Sequence, residues 1–520
     1  MPTPCRDEPK ETRAVAIDYN ANPKHNWRLR FHLQTQTGDI TDPNGLCQLD
    51  GTYHFFHQHR RLWPDAAHGW AHWASRDLVS WEWMGCPIMP DCDLDRNGSY
   101  SGSAVVHDGQ MWCYYTGNAL LPGDHDYDRS GRLANETLVV SDGVRFGEKR
   151  LILGNEGYPS YCSCHVRDPK VWRQGGSWHM LLGARTMDDR GAILLYGSPN
   201  GLAWELEGSA TGTGAEPFGY MWECPNLVRV DGREFLLVCP QGVSKRPFSF
   251  QNIHNSGYFP LEGSLVELMR GDGDLMGASG PYPCIDERSF VELDFGFDFY
   301  APQAFEDESG RTLLVGWAGL PDIETQYDNP TRAWTHTLTV PRELTTNAAG
   351  RICQWPAREI DGLRGKEVKL TAQDAHGLTG TVGTSPYDVF DLTGARGARF
   401  ADGSCDLVID DIDGEGRVLL GSELELLVYD QMLELCFHGA AGAHRGVRRL
   451  LASTLSAGRV ESLRMLVDTS IVEVFVNGGE VTLTTRWYPQ DVSELCVTST
   501  LPGEHRAWEM GCYDFVGMGA

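Results

Sequence analysis

Apolar and polar residues alternate in short runs along most of the chain, and the runs come in pairs. Five times a short polar motif leads into an apolar run, a glycine-containing turn and a second run rich in aromatics: DPNGLCQLDGTYHFFHQ, SGSAVVHDGQMWCYYTG, RDPKVWRQGGSWHMLLGA, ECPNLVRVDGREFLLVCP and APQAFEDESGRTLLVGWAG. A period of two interrupted by such turns predicts a β-hairpin in each copy, turning at Gly51, Gly109, Gly176, Gly232 and Gly310. Three hairpins are followed by ASRDLVSWEW, VSDGVRFGEK and GSPNGLAWEL, each with a turn before an aromatic residue and a glutamate, which reads as the outer strands of the same unit. Four strands in roughly 60 residues make a propeller blade. Five blades fill residues 26–345.

The repeat stops after Pro341-Arg342-Glu343-Leu344, and residues 346–365 read as a linker. Residues 366–520 keep the short alternating runs, clearest in RMLVDTSIVEVFVNGGEVTLTTRWYP, where Asn477-Gly478-Gly479 separates two strand patterns. Several such strands without helical periodicity predict a β-sandwich. The expected fold is all-β: a five-bladed β-propeller followed by a C-terminal β-sandwich.

Register within the repeats carries the first hint of chemistry. Asp42 lies nine residues before Gly51, Asp168 eight before Gly176 and Glu223 nine before Gly232, with Ser101 eight before Gly109. Equivalent positions in equivalent blades meet around the propeller axis. Three carboxylates distant in sequence should therefore converge at one end of the channel. Clustered carboxylates repel and raise one another's pKa, a cost tolerated where the cluster has a task. Glycoside hydrolysis uses two such groups, one ionised at the anomeric carbon and one protonated at the leaving oxygen. Trp70, Tyr100, Trp222 and Trp317 are aromatic candidates for the walls of a sugar pocket.

Composition narrows the partners. The formal charge of −27 repels a phosphate backbone and an anionic membrane, which argues against nucleic-acid and membrane partners. The N-terminal MPTPCRDEPKETRA lacks an apolar core of a leader, and no run approaches the roughly 20 apolar residues of a membrane span, so a cytoplasmic protein is expected. Fifteen cysteines, scattered through apolar runs, predict reduced thiols in place of a disulfide framework.

The motifs resemble those of glycoside hydrolase family 32. The resemblance lies in Asp42-Pro43-Asn44-Gly45, Tyr100-Ser101-Gly102-Ser103, Arg167-Asp168-Pro169, Trp222-Glu223-Cys224-Pro225, Asp298-Phe299-Tyr300-Ala301-Pro302-Gln303 and SIVEVFVNGGE, and covers nearly the whole chain. The family includes invertases, inulinases, levanases and sucrose-6-phosphate hydrolases, and its fold is a propeller followed by a sandwich. The resemblance implies a retaining β-fructofuranosidase in which Asp42 is the nucleophile, Glu223 the acid/base and Asp168 the holder of fructose hydroxyls, kept ionised by Arg167. Thr41, Asn44, Gln58, Trp70, Tyr100, Ser101, Arg167, Cys224 and Trp317 fall on its substrate-binding positions. Thr41 stands where Asn is usual, Tyr100 where Phe is and Ala71 where Gly is. No metal or organic cofactor is implied, and the partner is a small sugar.

The expected reaction is release of terminal fructosyl units from sucrose and short fructo-oligosaccharides. A sucrose-6-phosphate hydrolase is the nearest alternative, for which Arg60, Arg61 and Lys245 are candidate phosphate contacts. Fructosyl transfer, a propeller glycosidase acting on arabinose or xylose, and a non-catalytic fructan-binding propeller are the others. His54, His57, His59, His68 and His72, the Cys162-Ser163-Cys164-His165 run, and Asp91, Asp93, Asp95 with Asn97 are read as structural and not as metal sites.

Overall fold

In the computed structural model, residues 27–60, 67–270, 284–322, 334–372, 392–429, 431–438 and 445–517 are described. The N-terminal MPTPCRDEPKETRA and Arg61 lie outside them.

All five hairpins form, and their turns explain why. Asp50-Gly51, Asp108-Gly109, Gly175-Gly176 and Asp231-Gly232 each place two consecutive residues at positive φ, from 49° to 87°. That conformation matches the twist of two-residue hairpins and favours Asp-Gly and Gly-Gly. The fifth hairpin has a longer loop, in which Asp307 Oδ1 accepts the backbone N–H groups of Ser309 and Arg311.

Each hairpin begins a run of four antiparallel strands, to which the third sheet adds Cys284–Ile285 and the fifth Thr337–Leu338. The first sheet runs Gly38–Leu49, Thr52–Arg60, Gly69–Ser75, Ser80–Trp83, and the second Ser99–His107, Gln110–Leu120, Arg132–Ser141, Arg150–Leu153. The third starts at Cys162–Gln174, the fourth at Met221–Val230 and the fifth at Tyr300–Glu306. The starting strands touch in cyclic order, first to second through to fifth, and fifth to first. The fifth sheet ends with Arg342–Thr346 paired to Ile352–Pro356, so part of the stretch read as a linker is an outer strand of that sheet. The first sheet gains two parallel neighbours from far away: Trp334–Thr335 beside Gly38–Asp39, and Asp514–Val516 beside Ser80–Glu82.

Two six-stranded sheets follow, one ordered Arg364–Val368, Glu504–Met510, Ser404–Asp410, Leu463–Asp468, Ile471–Val476, Val481–Arg486, the other built from strands between Arg396 and Ser499. Their alternating apolar residues share one core, with Leu407, Met465 and Val474 from the first meeting Val418, Leu426 and Leu435 from the second. A second core joins this region to the first and fifth sheets through Phe55, Trp81, Val315, Leu466, Phe475 and Met510. Leu265–Arg270 is the one α-helix among the described residues. No described helix is long and apolar enough to cross a membrane. The thirteen described cysteine side chains are free thiols.

At the junction, apolar packing gives way to a buried ionic cluster. His32 donates from Nδ1 to Asp468 at 2.8 Å and bonds Glu473 through Nε2 at 2.9 Å, all three fully buried. Arg342, also fully buried, reaches Glu473 through Nε at 2.9 Å, Gln354 at 2.9 Å and Thr484 at 2.6 Å. Asp468 accepts the Arg30 and Phe31 backbone N–H groups as well. Burial alone would raise Glu473, but the charge of Arg342 and the contacts from His32 hold its carboxyl below the usual range.

Candidate active site

The starting strand of every one of the first five sheets carries a β-bulge at the same level. Thr41-Asp42 face Gln58, Tyr100-Ser101 face Thr116, Asp168-Pro169 face Leu182, Cys224-Pro225 face Val238, and Ala301-Pro302 face Gly316. A bulge sets two residues against one and re-aims a side chain. Proline, lacking an N–H, is tolerated there. The residues before these three prolines, Asp168, Cys224 and Ala301, sit at φ of 67°, 48° and 46°, a region costly for side chains other than glycine. The strain is countered at Asp168, whose N–H donates to Thr116 Oγ1 at 3.0 Å and whose carboxylate accepts the Cys224 N–H at 2.9 Å.

Asp42, Asp168 and Glu223 line one cavity of about 510 Å³, with Gln58, Tyr100, Ser101 and Arg167 from the sequence-derived set. The supports of the three carboxylates differ. Asp42 takes a hydrogen bond from the Ser101 hydroxyl, which accepts from Gln58 Nε2 at 2.7 Å, while Gln58 Oε1 lies 2.5 Å from His68 Nδ1. Burial pushes the Asp42 carboxyl up to about 7, Asp168 and Glu223 add repulsion, and Ser101 opposes them. Burial likewise lifts Asp168 to about 6 against the pull of Arg167. Glu223 accepts from Arg167 through Nε at 3.0 Å and from Tyr300 Oη at 2.6 Å.

Several expectations change. Arg167 bonds Glu223, with Asp168 farther off at 3.8 Å, so its attraction does not keep Asp168 in the ordinary carboxylate range. Trp70 is fully buried, donates to the Tyr100 carbonyl at 2.9 Å and packs with Phe56 and Tyr115, so it is core and not a wall. Trp222 is buried in another core cluster. Trp317 is 5% exposed and packs edge-on to Tyr300. Asn44 is buried and accepts the Gly102 N–H at 3.1 Å, a link between the first two sheets. Thr41 is buried too, and Cys224 acts on Asp168 through its backbone N–H at 2.9 Å and its Sγ at 3.7 Å. Among the described residues, the phenol rings that line the cavity are those of Tyr100 and Tyr220.

Tyr220, Tyr300, His68, Asp128, Arg132, His165, Gln241 and Asp322 were not singled out as sugar contacts, yet all except Tyr300 line the cavity and Tyr300 holds Glu223. Tyr300 stands in the fifth motif, next to a bulge, which was the available signal. Among the acidic loop residues, Asp91 and Asp95 each lie 2.5 Å from Lys149 Nζ, which supplies their counter-charge. His54 Nδ1 and His72 Nε2 lie 2.9 Å apart.

Comparison with known proteins agrees with this geometry. The model of Glycosyl hydrolases family 32 N-terminal domain matches residues 32–356, and that of Glycosyl hydrolases family 32 C terminal matches 437–502. The chain is 35% identical over 494 residues to a sucrose-6-phosphate hydrolase of Klebsiella pneumoniae, covering 92% of each chain. It is 34% identical over 480 residues to a raffinose invertase of Escherichia coli, covering 91% of each. The solved sucrose-6-phosphate hydrolase of Lactobacillus gasseri superposes with a TM-score of 0.75 at 25% identity, covering 95% of each.

Proposed function

Because the chain belongs to glycoside hydrolase family 32, we propose that it releases terminal β-D-fructofuranosyl units from sucrose, its 6-phosphate and short fructo-oligosaccharides, with retention at the anomeric carbon. The observation that carries this reading is the meeting of Asp42, Asp168 and Glu223, from three sheets, at one cavity. We read those five sheets as blades closed by the contact of fifth with first, Ile352–Pro356 belonging to the last blade, and the two six-stranded sheets as a sandwich.

In the first step the ionised Asp42 carboxylate forms a bond to the anomeric carbon of fructose as the glycosidic C–O bond breaks. Glu223 transfers its proton to the departing oxygen. In the second step water attacks the fructosyl-enzyme, Glu223 takes the water proton, and Asp42 leaves as a carboxylate. Burial, with repulsion from the neighbouring carboxylates added to it, raises Asp42 and Asp168, so protons are held among these acids close to neutral pH. Ser101 favours an ionised Asp42. Arg167 and Tyr300 donate to Glu223, an arrangement suited to its proton-accepting step. Asp168, fixed by Cys224 and Thr116, is placed to hold fructose hydroxyls as positive charge develops.

Incubation of the purified protein with sucrose, 1-kestose and sucrose 6-phosphate tests the reading, with fructose release as the readout. Adding methanol as acceptor should yield methyl β-fructofuranoside if configuration is retained. Absence of fructose from all three sugars removes the proposal, and the α-anomer removes the retaining mechanism alone.

A further inference from the structure

Two arginines line the cavity, and their surroundings differ. Arg167 is engaged by Glu223. Arg132 makes no ion pair among the described residues; its guanidinium is held by neutral oxygens, Nε to the Tyr127 carbonyl at 2.9 Å and Nη1 to Asn118 Oδ1 at 2.8 Å and Tyr100 Oη at 3.5 Å. The other charged groups beyond the three carboxylates are already answered. Asp128 faces Arg185 at 3.3 Å, and Asp322 bonds His254 at 3.0 Å. Arg132 thus presents a partly exposed positive charge without a counter-ion, in a chain whose formal charge is −27.

Its position follows from strand register. Ser101, which touches Asp42, lies opposite Thr116, whereas Arg132 pairs with Leu120. Four residues of strand span about 13 Å, and they run toward the loop 121–131, away from the turn at Gly109. With fructose among the carboxylates, this end of the cavity receives the sugar that leaves.

We infer that Arg132 is the residue that reads a phosphate on the departing glucosyl group, so that the cavity discriminates sucrose 6-phosphate from sucrose; this rests on the fructosyl-hydrolase reading above. A guanidinium held by neutral acceptors keeps N–H groups and its full charge available, and a phosphate dianion accepts the planar pair of donors. Of the earlier candidates, Arg61 lies outside the described residues and the other two do not serve. Arg60 is locked on Asp39, with Nε 2.7 Å from Oδ2, and Lys245 does not line the cavity.

The decisive quantity is the ratio of kcat/KM for sucrose 6-phosphate to that for sucrose. It should exceed about tenfold in the wild-type protein, fall at least tenfold in Arg132→Met mainly through KM, and be largely restored in Arg132→Lys. Glucose 6-phosphate should inhibit the wild-type protein at lower concentration than glucose, a comparison that needs no variant. A wild-type ratio of one or less, or a ratio unchanged in Arg132→Met, overturns the inference while fructose release continues. A merely structural arginine would depress both sugars equally and also overturn it. If neither sugar releases fructose, the hydrolase reading falls and takes this inference with it.

Discussion

Two of the buried carboxylate clusters among the described residues differ in a way that separates holding from reacting. At the junction of the two regions, Asp468 and Glu473 are surrounded by His32, Arg342 and backbone N–H groups, and Glu473 is held below the ordinary carboxylate range. In the cavity, Asp42 has one hydroxyl donor and two acidic neighbours, and is lifted to about 7. The residue types are the same; the supply of positive charge and donors is not. Oversupplied carboxylates fix geometry, whereas an undersupplied set retains protons and reactivity.

Substitutions should pull the two clusters apart. Asp42→Asn is expected to lower kcat/KM by about 10⁴-fold or more, a loss of ~5 kcal/mol in transition-state stabilisation. Its Tm should not fall and should rise above neutral pH, because the ionised form of a carboxyl with a raised folded pKa costs stability as pH increases. A lower Tm together with retained turnover would merge the clusters into one structural class. His32→Gln should do the reverse, costing about 3–5 kcal/mol of stability by chemical denaturation with kcat intact at temperatures where the variant stays folded. Burial opposes protonation of His32, but its two carboxylate partners win and raise its pKa. The stabilisation is therefore complete below the unfolded value of 6.5 and is lost as pH rises through the folded one, so wild type and variant should converge in Tm toward alkaline pH.

Smaller effects refine the boundary. Tyr300→Phe removes a donor to Glu223 and should reduce kcat about ten- to a hundredfold, consistent with ~1.5–3 kcal/mol for a hydrogen bond to a charged group. In the wild-type protein kcat/KM should fall as pH drops through about 7 to 6, where Asp42 and Asp168 take up protons. Ser101→Ala deletes the bond that favours ionised Asp42 and should move this acid limb upward by up to about one pH unit. A downward move would mean that Ser101 stabilises the protonated acid.

Much of the fold could be read from the chain because its signals are local. Asp-Gly and Gly-Gly turns at the right spacing specify hairpins, and the shared phase of Asp42, Asp168 and Glu223 brought them to one cavity. Side-chain direction was less legible. Alternation gives a face only while pairing stays regular, and the five bulges interrupt it at the level of the site. Tyr300, one residue before a bulge, reaches Glu223, whereas Trp70, on the regularly paired third strand of the first sheet, packs into a core. The junction was invisible for a different reason. His32 precedes the first repeat and its partners follow residue 460, a separation no local pattern reports.

The strand Asp514–Val516 closes the outer edge of the first sheet, with Tyr513 and Phe515 packed into that sheet's core. That sheet therefore keeps an unpaired margin at Ser80–Trp83 during synthesis until residues 514–516 have been made. Nascent chains stalled short of residue 514 should expose that margin to other strands.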